Sequence, residues 1–498
     1  MLARSISGCL VLLFGLLPYF AIAAERPNVI VILADDLGYG DVSSYGATKV
    51  STPNIDRLAD EGLRFTSGYA PAATCTPTRF AMLTGRYAWR VPGTGIAPPN
   101  ATALIQPDQP TLATMLRDAG YVTSVVGKWH LGLGQKPAPD WNGQLKPGPL
   151  EIGFDSCFLM PTTGDRVPCV YIRDHHVVDL DPNDPISVSM KNPDGQPTGQ
   201  THRDQLKMDW SRGHNSSIIN GISRIGFMTG GHKARWVDED MADRFAEEAV
   251  TFIDKHQQKP FFLFFSLHDI HVPRVPHPRF EGSSECGIRG DVIVQTDWQV
   301  GQVLKALDDR GLTDNTLVIF GSDNGPVLDD GYADRAVEDL NGHKPSGPLR
   351  GGKYSPYEGG TRTPLLARWP QQIKPGVSDE LICLIDLPAT LANLVDQPLK
   401  DRFPDSFDLT DALLGRDKAK GRSHLVIQGV GGSLGYREGD WKLVTPWRRR
   451  GQANKKHQLF NLKDDIGEQN NLADRHPERL EAMKAKLEAI KQQNGSRS

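Results

Sequence analysis

Apolar runs of strand length recur along the chain, and the strongest of them stop at polar clusters. Pro27 to Ala34 reads as a buried strand ending in Asp35-Asp36, and Tyr121 to Val126 as one ending at Lys128-Trp129-His130. Pro260 to Leu267 runs into His268-Asp-Ile-His271-Val-Pro273, and Thr316 to Phe320 into Ser322-Asp323-Asn324-Gly325. Uninterrupted apolar runs bounded by turn residues mark strands covered on both faces. Between them the period lengthens. Thr111 to Ala119 predicts a helix stopped by Gly120; Met241, Phe245, Val250, Phe252 and Ile253 fall at helical spacings; Ile293, Val300, Leu304 and Leu307 mark another helix, stopped by Gly311.

This alternation predicts an α/β fold with a large mixed, mostly parallel sheet sandwiched by helices. The polar clusters matter more for function than the strands do. Open α/β sheets bind ligands beyond the carboxyl ends of their strands, so four unconnected segments should converge on one edge. From about 137 to 235 the texture turns to Pro, Gly, Asn and Asp with few apolar runs, a loop-rich insertion suited to shaping a pocket because it still carries Tyr171, Trp210 and several His and Arg. From 399 onward short strands are predicted at Ser423 to Val430, Leu434 to Thr445 and Gln458 to Leu462, then an amphipathic helix from Pro477 to Gln492. The expected organisation is a signal peptide at 1–24, a catalytic α/β domain at 25–398 and a small C-terminal α+β subdomain at 399–498 with a short antiparallel sheet.

Residues 1–24 have an early cation at Arg4, an apolar run from Leu10 to Phe20 and small residues at Ala21, Ala23 and Ala24, the pattern of an exported protein, periplasmic or secreted after cleavage. No later run approaches the length of a membrane span. At 498 residues and a formal charge of -4 the chain has ample length for a large core and no protein-wide field for nucleic acid or a membrane surface, so any anion recognition must be local. Of the six cysteines, Cys9 leaves with the signal. Export permits a disulfide among Cys157, Cys169, Cys286 and Cys383, and spacing leaves a Cys157–Cys169 loop and four free thiols equally open. No Cys-x-x-Cys pair suggests zinc.

Residues 75 to 86 read Cys-Thr-Pro-Thr-Arg-Phe-Ala-Met-Leu-Thr-Gly-Arg. Pro77 suits the first turn of a helix that Thr74 or Thr76 can cap, which puts Cys75 at a helix start where backbone N–H groups attract anions. Arg79, one turn on, shares its side. The stretch resembles the signature of the type I sulfatases, formylglycine-dependent arylsulfatase-like members of the alkaline phosphatase superfamily. Gly-Lys128-Trp-His130-Leu-Gly resembles their second signature, His271 in His-Val-Pro their His-x-Pro position, and Lys353 in Arg-Gly-Gly-Lys-Tyr their second sulfate-binding lysine. His268 is the nearest competitor for His271.

The resemblance implies hydrolysis of sulfate esters by formylglycine (3-oxoalanine), made from Cys75 by a formylglycine-generating or equivalent maturation enzyme. It also implies calcium, held by Asp35, Asp36, Asp323, Asn324 and residue 75. Hard oxygen donors of this kind suit calcium or magnesium. By the same resemblance Arg79, Lys128 and Lys353 supply positive potential, and His271 with Lys353 assists departure of the alcohol. His130 deprotonates the remaining hydroxyl of the covalent sulfate hemiacetal and so expels sulfate. Lys128, His271, Lys353 and Thr163, the last in Pro161-Thr-Thr-Gly-Asp165, are the expected substrate contacts.

The expected substrates are sulfated polysaccharide fragments, which Trp447 and the following Arg448 to Arg450 would meet near the pocket mouth, although a charge run is more often a solvated face. Two other readings fit parts of the pattern: a phosphomonoester or phosphonate hydrolase of the same superfamily, and a non-catalytic glycan-binding protein on a retired enzyme scaffold. The complete set of site residues argues against the second.

Overall fold

The computed structural model describes residues 26–193, 195–449 and 452–497. The signal-peptide reading of 1–24, Cys9 and Arg450 therefore lie outside the described residues. A ten-stranded sheet forms the centre, in the order Gly376–Ser378, Leu63–Phe65, Leu365–Arg368, Thr316–Ser322, Asn28–Ala34, Phe261–Ser266, Val122–Lys128, Ser156–Met160, Ile172–Arg173, His176–Val177. The five middle strands, from Thr316–Ser322 to Ser156–Met160, run parallel. Leu365–Arg368 on one side and Ile172–Arg173 on the other pair antiparallel, so the sheet is mixed but mostly parallel, as the alternation predicts.

Every residue of Asn28–Ala34, Phe261–Ser266 and Thr316–Ser322 is buried, which is why these segments read as unbroken apolar runs rather than alternating ones. Helices Met241–His256 and Gly287–Asp309 pack against each other beside the sheet, each burying an apolar stripe that includes Phe245, Phe252 and Ile253 on the first and Val300, Val303 and Leu304 on the second.

The loop-rich stretch holds more sheet than its texture suggests. Ser156–Met160 is a full member of the parallel sheet, and the short strands Ser187–Ser189 and Phe227–Thr229 pair with each other outside it. The core of the large sheet takes in residues as far as Leu414. A separate antiparallel sheet then forms from His424–Gln428, Leu434–Glu438, Trp441–Val444 and Gln458–Asn461. The predicted Leu434 to Thr445 strand is two strands, because Gly439 at φ 57 and Asp440 make a two-residue hairpin turn. Helix Pro477–Gln492 buries Met483, Leu487 and Ile490 in the core of this sheet. No helix among the described residues is long and apolar enough to cross a membrane.

A buried ionic cluster ties the small sheet to the short helix Glu358–Thr361 that leads into Leu365–Arg368 of the large one. Lys442, fully buried, donates to Glu358 Oε1 at 2.8 Å and lies 3.0 Å from Glu468 Oε1. Against the cost of burial, Lys442 and its neighbouring arginines hold the Glu358 carboxyl down at about 2, while burial pushes Glu468 up to about 7. Removing one partner of a buried pair leaves an uncompensated charge. Lys442→Met is therefore expected to cost about 3 kcal/mol or more, visible as a lower melting temperature; an unchanged melting curve would show that the cluster is not holding the small sheet to that helix.

Candidate active site

The polar clusters do meet at the carboxyl edge of the parallel strands. Asp35 follows Asn28–Ala34, Lys128 closes Val122–Lys128, His271 lies beyond Phe261–Ser266, and Asp323-Asn324 follows Thr316–Ser322. All are buried, together with Cys75, Arg79, His130 and Lys353. Cys75 is the first residue of helix Cys75–Thr84 and Thr74 its N-cap. The Thr74 side chain makes no capping hydrogen bond, and the Thr76 hydroxyl donates instead to the carbonyl of His130 at 3.0 Å, so the two signature segments are joined directly.

Backbone conformation fixes the aim of several of these groups. Gly127, at φ 109, has a position where any Cβ would lie 1.8 Å from the carbonyl oxygen of Ser266, so only glycine lets the strand carry Lys128 this close to its neighbour. Asp36, His130 and Tyr354 have left-handed backbones, at φ 61, 56 and 77. Such residues cost about 1–3 kcal/mol each and cluster at functional sites. Because the chain has turned at His130, strand alternation no longer sets the direction of its ring.

Arg79 is held by four partners. Its Nε donates to Asp323 Oδ2 at 2.8 Å, its Nη1 to the Lys128 carbonyl at 3.1 Å and to Ser266 Oγ, and its Nη2 lies 3.8 Å from Asp35. Lys128 Nζ donates to Asp35 and stands 3.9 Å from Asp323. Lys353 Nζ bridges Asp36 at 2.8 Å and Asp330 at 3.0 Å. Asn324 Nδ2 donates to Asp36 Oδ1 at 2.8 Å. Although burial opposes it, Asp330 and Asp36 hold the Lys353 ammonium well above its ordinary range. Burial, then repulsion from neighbouring carboxylates, raises Asp35, and burial raises Asp36 and the Cys75 thiol.

The donor set fits a divalent cation. One ligand atom each of Asp35, Cys75 and Asp323 lies within 4.8 Å of the others, and the same holds for Asp35, Asp36 and His271. Asp35 Oδ1 and Asn324 Oδ1 are buried oxygens with no hydrogen-bond partner, the kind of lone pair a bound cation satisfies. Charge agrees. Counted by formal charge, four carboxylates, Asp35, Asp36, Asp323 and Asp330, face three cations, Arg79, Lys128 and Lys353, leaving one negative charge. A divalent ion turns that into one positive charge, the complement of a singly charged ester.

Over this cluster opens a pocket of about 360 Å³ lined by Cys75, His271, Lys353, Asp330 and Tyr354. His271 rather than His268 reaches it. His268 instead packs so tightly on Gly164 that a Cβ there would lie 2.6 Å from its Nε2. His271 Nδ1 donates to the Val272 carbonyl at 2.7 Å, leaving Nε2 with a lone pair 3.9 Å from Asp36. Burial and then Lys353 keep the His271 ring well below its usual range, and burial and then Lys128 do so for His130. His130 Nε2 faces the Ala97 carbonyl at 3.1 Å, and its Nδ1 has no partner. Thr163 stands behind the wall: its hydroxyl lies between Asp165 Oδ1 and Arg166 Nη1, the latter at 2.6 Å.

Sequence reasoning missed most of the wall itself. Asp165, Arg166, Arg212 and His214 come from the insertion, Asp330 and Tyr354 from loops. His214 Nε2 contacts Asp165 at 2.8 Å, and Arg212 pairs with Asp329 at 2.6 Å. Asp330 and Tyr354 carried a signal in their nearness in sequence to Asp323 and Lys353, as Asp165 and Arg166 did in theirs to Thr163. All five cysteines among the described residues are free and buried, so the Cys157–Cys169 alternative is not formed.

The sulfatase family model matches residues 27–397. An N-acetylgalactosamine-6-O-sulfatase of Bacteroides thetaiotaomicron is 51% identical over 479 residues, covering 94% of each chain. Human arylsulfatase A is 33% identical, covering 94% of this chain and 88% of its own. A solved Bacteroides thetaiotaomicron sulfatase, from work on the metabolism of multiple glycosaminoglycans, superposes with a TM-score of 0.92 at 50% identity, over 94% of this chain and all of that one.

Proposed function

The chain belongs to the sulfatase family, and on that premise we propose that its nucleophile is formylglycine made from Cys75 and its metal calcium. It is a sulfuric ester hydrolase acting on sulfated carbohydrates, releasing inorganic sulfate. The observation that carries the finer reading is the convergence of Cys75, which lines the pocket with His271 and Lys353, with Asp35 and Asp323. We further propose that the substrate is a 6-O-sulfated N-acetylgalactosamine, the sugar in the name of the relative at 51% identity. The signal-like residues 1–24 support export, and Cys75 in its motif supports a maturation enzyme as transient partner.

Converted to formylglycine, position 75 would supply an oxygen nucleophile toward sulfur, and calcium, which Asp35, Asp36, Asp323 and Asn324 would hold, would supply positive charge. The chain's own groups do the rest. Arg79 and Lys128 are locked by Asp323 and Asp35, so their charge is fixed before substrate arrives and needs no reorganisation during the reaction. Lys353 lies at the pocket wall, where its ammonium meets the sulfate oxygens. His271, which lines the pocket, would give a proton to the departing alcohol, and His130, neutral and with a free Nδ1, would take a proton as sulfate is released.

The test is sulfate release from N-acetylgalactosamine 6-sulfate, its gluco counterpart, and matched aryl sulfate and aryl phosphate esters. Sulfate release fastest from the galacto sugar is expected; faster turnover of the phosphate ester would sink the assignment. Chelation is expected to lower activity, with calcium restoring it best among added divalent ions, since an all-oxygen set of this charge favours a hard cation. Stoichiometric zinc in freshly purified active protein, with full dependence on it, would contradict calcium.

A further inference from the structure

A groove leaves the catalytic pocket toward the C-terminal sheet, and its chemistry is unlike that of the protein around it. Lys353 and Tyr354 line both the pocket and an adjoining cavity of about 690 Å³, which also takes in Arg350, Tyr357 and Trp447. Trp447 and Asn454 continue into a further cavity of about 640 Å³ with Arg448 and Lys455. The connection is made twice, because Val430 lines the pocket and Gly431 the outer cavity. At about 360 Å³ the pocket lies near the lower end of the roughly 300–1,000 Å³ range of small-molecule sites. It suits one sulfated sugar, and the rest of a chain must run outside it.

We propose that this groove binds the sugars adjoining the sulfated one in a linear saccharide that carries carboxylates or further sulfates. The proposal rests on the sulfatase reading of the pocket and adds the class of substrate. Its first ground is charge. Arg350, Lys353, Arg448 and Lys455 line the two outer cavities and no Asp or Glu does, in a chain whose formal charge is -4. Surface cations normally alternate with acids, so a one-sign lining that leads into an anion-handling pocket concentrates a polyanion there.

The second ground is the aromatic floor. Trp447 is half-buried, set edge-on against Tyr357 at 5.9 Å and 82°, while the Arg350 guanidinium covers Tyr357 at 4.0 Å. The half-exposed ring, beside the amides of Asn454 and Gln458, offers a sugar a face to lie on and groups for its hydroxyls. The cations then take the charged substituents.

The experiment uses the matured full-length enzyme and three variants: Trp447→Ala, Arg448→Glu and Lys455→Glu. Substrates are N-acetylgalactosamine 6-sulfate and a uronate-containing tetrasaccharide ending in that sugar. Each variant is expected to lose about tenfold in kcat/KM on the tetrasaccharide, mainly through KM, and to stay within about twofold on the monosaccharide, which also reports the fold. Equal losses on both substrates, or a wild type that gains nothing from the longer chain, would overturn the groove. A separate titration separates this failure from that of the sulfatase reading. Cys75→Ala protein should bind the same chain without its sulfate, and Arg448→Glu in that background should weaken binding. An enzyme that released no sulfate yet showed this binding would lose the activity and keep the groove; no binding of the anionic chain would remove the groove and leave the activity untouched.

Discussion

Cys75→Ala is expected to abolish sulfate release, by roughly 10⁴-fold or more, from both an aryl sulfate and a sulfated sugar. Residue 75 opens a helix, lines the pocket and lies against two of the carboxylates, Asp35 and Asp323. Burial pushes its thiol up, so an unconverted cysteine is mostly protonated at neutral pH and a weak nucleophile, which supports the proposed conversion to formylglycine. The fold should survive, because the substitution removes a single sulfur while Arg79, Lys128 and Lys353 keep their carboxylate partners. Cys75→Ser should be nearly as inactive, since the recognised motif begins with cysteine. The checks are sulfate release, melting temperature and the intact mass of the residue-75 peptide. Either variant working within a few fold of wild type would remove the nucleophile assignment.

Much of this floor is legible in the amino-acid sequence, for a physical reason. Buried parallel strands need unbroken apolar runs, and their ends are where polar side chains can cluster without crossing the core, so Asp35, Lys128, His271 and Asp323 each stand out at the end of a run. The walls are not legible in the same way. Asp165, Arg166, Arg212 and His214 come from loops whose course is set by tertiary contacts, such as the Asp165–His214 hydrogen bond at 2.8 Å, and no local period encodes these. Ser156–Met160 escapes notice for a related reason: five residues in a Pro- and Gly-rich stretch give too short a window to separate a strand from a loop, although pairing beside Val122–Lys128 makes it part of the core. The choice between His268 and His271 also needs three dimensions. Both follow the same strand, and only packing of His268 against Gly164 decides which ring reaches the pocket.

His271→Ala should fail selectively, and the pattern of failure separates it from Lys353. The Lys353 proton is held by Asp36 and Asp330, 2.8 and 3.0 Å away, and both carboxylates favour the ammonium, which makes it a fixed charge and a poor acid. His271 is the opposite case. Burial and then Lys353 disfavour its charged form, so once protonated beside a bound sulfate ester it gives the proton up readily, and its Nδ1 bond to Val272 aims Nε2 at the reacting groups. A sugar alkoxide leaves poorly without a proton, whereas an activated aryl oxide needs little help. His271→Ala is therefore expected to cost roughly 10²–10⁴-fold on a sugar sulfate and far less on an activated aryl sulfate. In a series of aryl sulfates it should steepen the dependence of rate on leaving-group pKa. Lys353→Met, which removes charge from the sulfate rather than a proton from the alcohol, should lower rates by a similar factor across the same series. Parallel losses for His271→Ala, with a slope no steeper than that of wild type, would assign the proton to another group even though the ring lines the pocket.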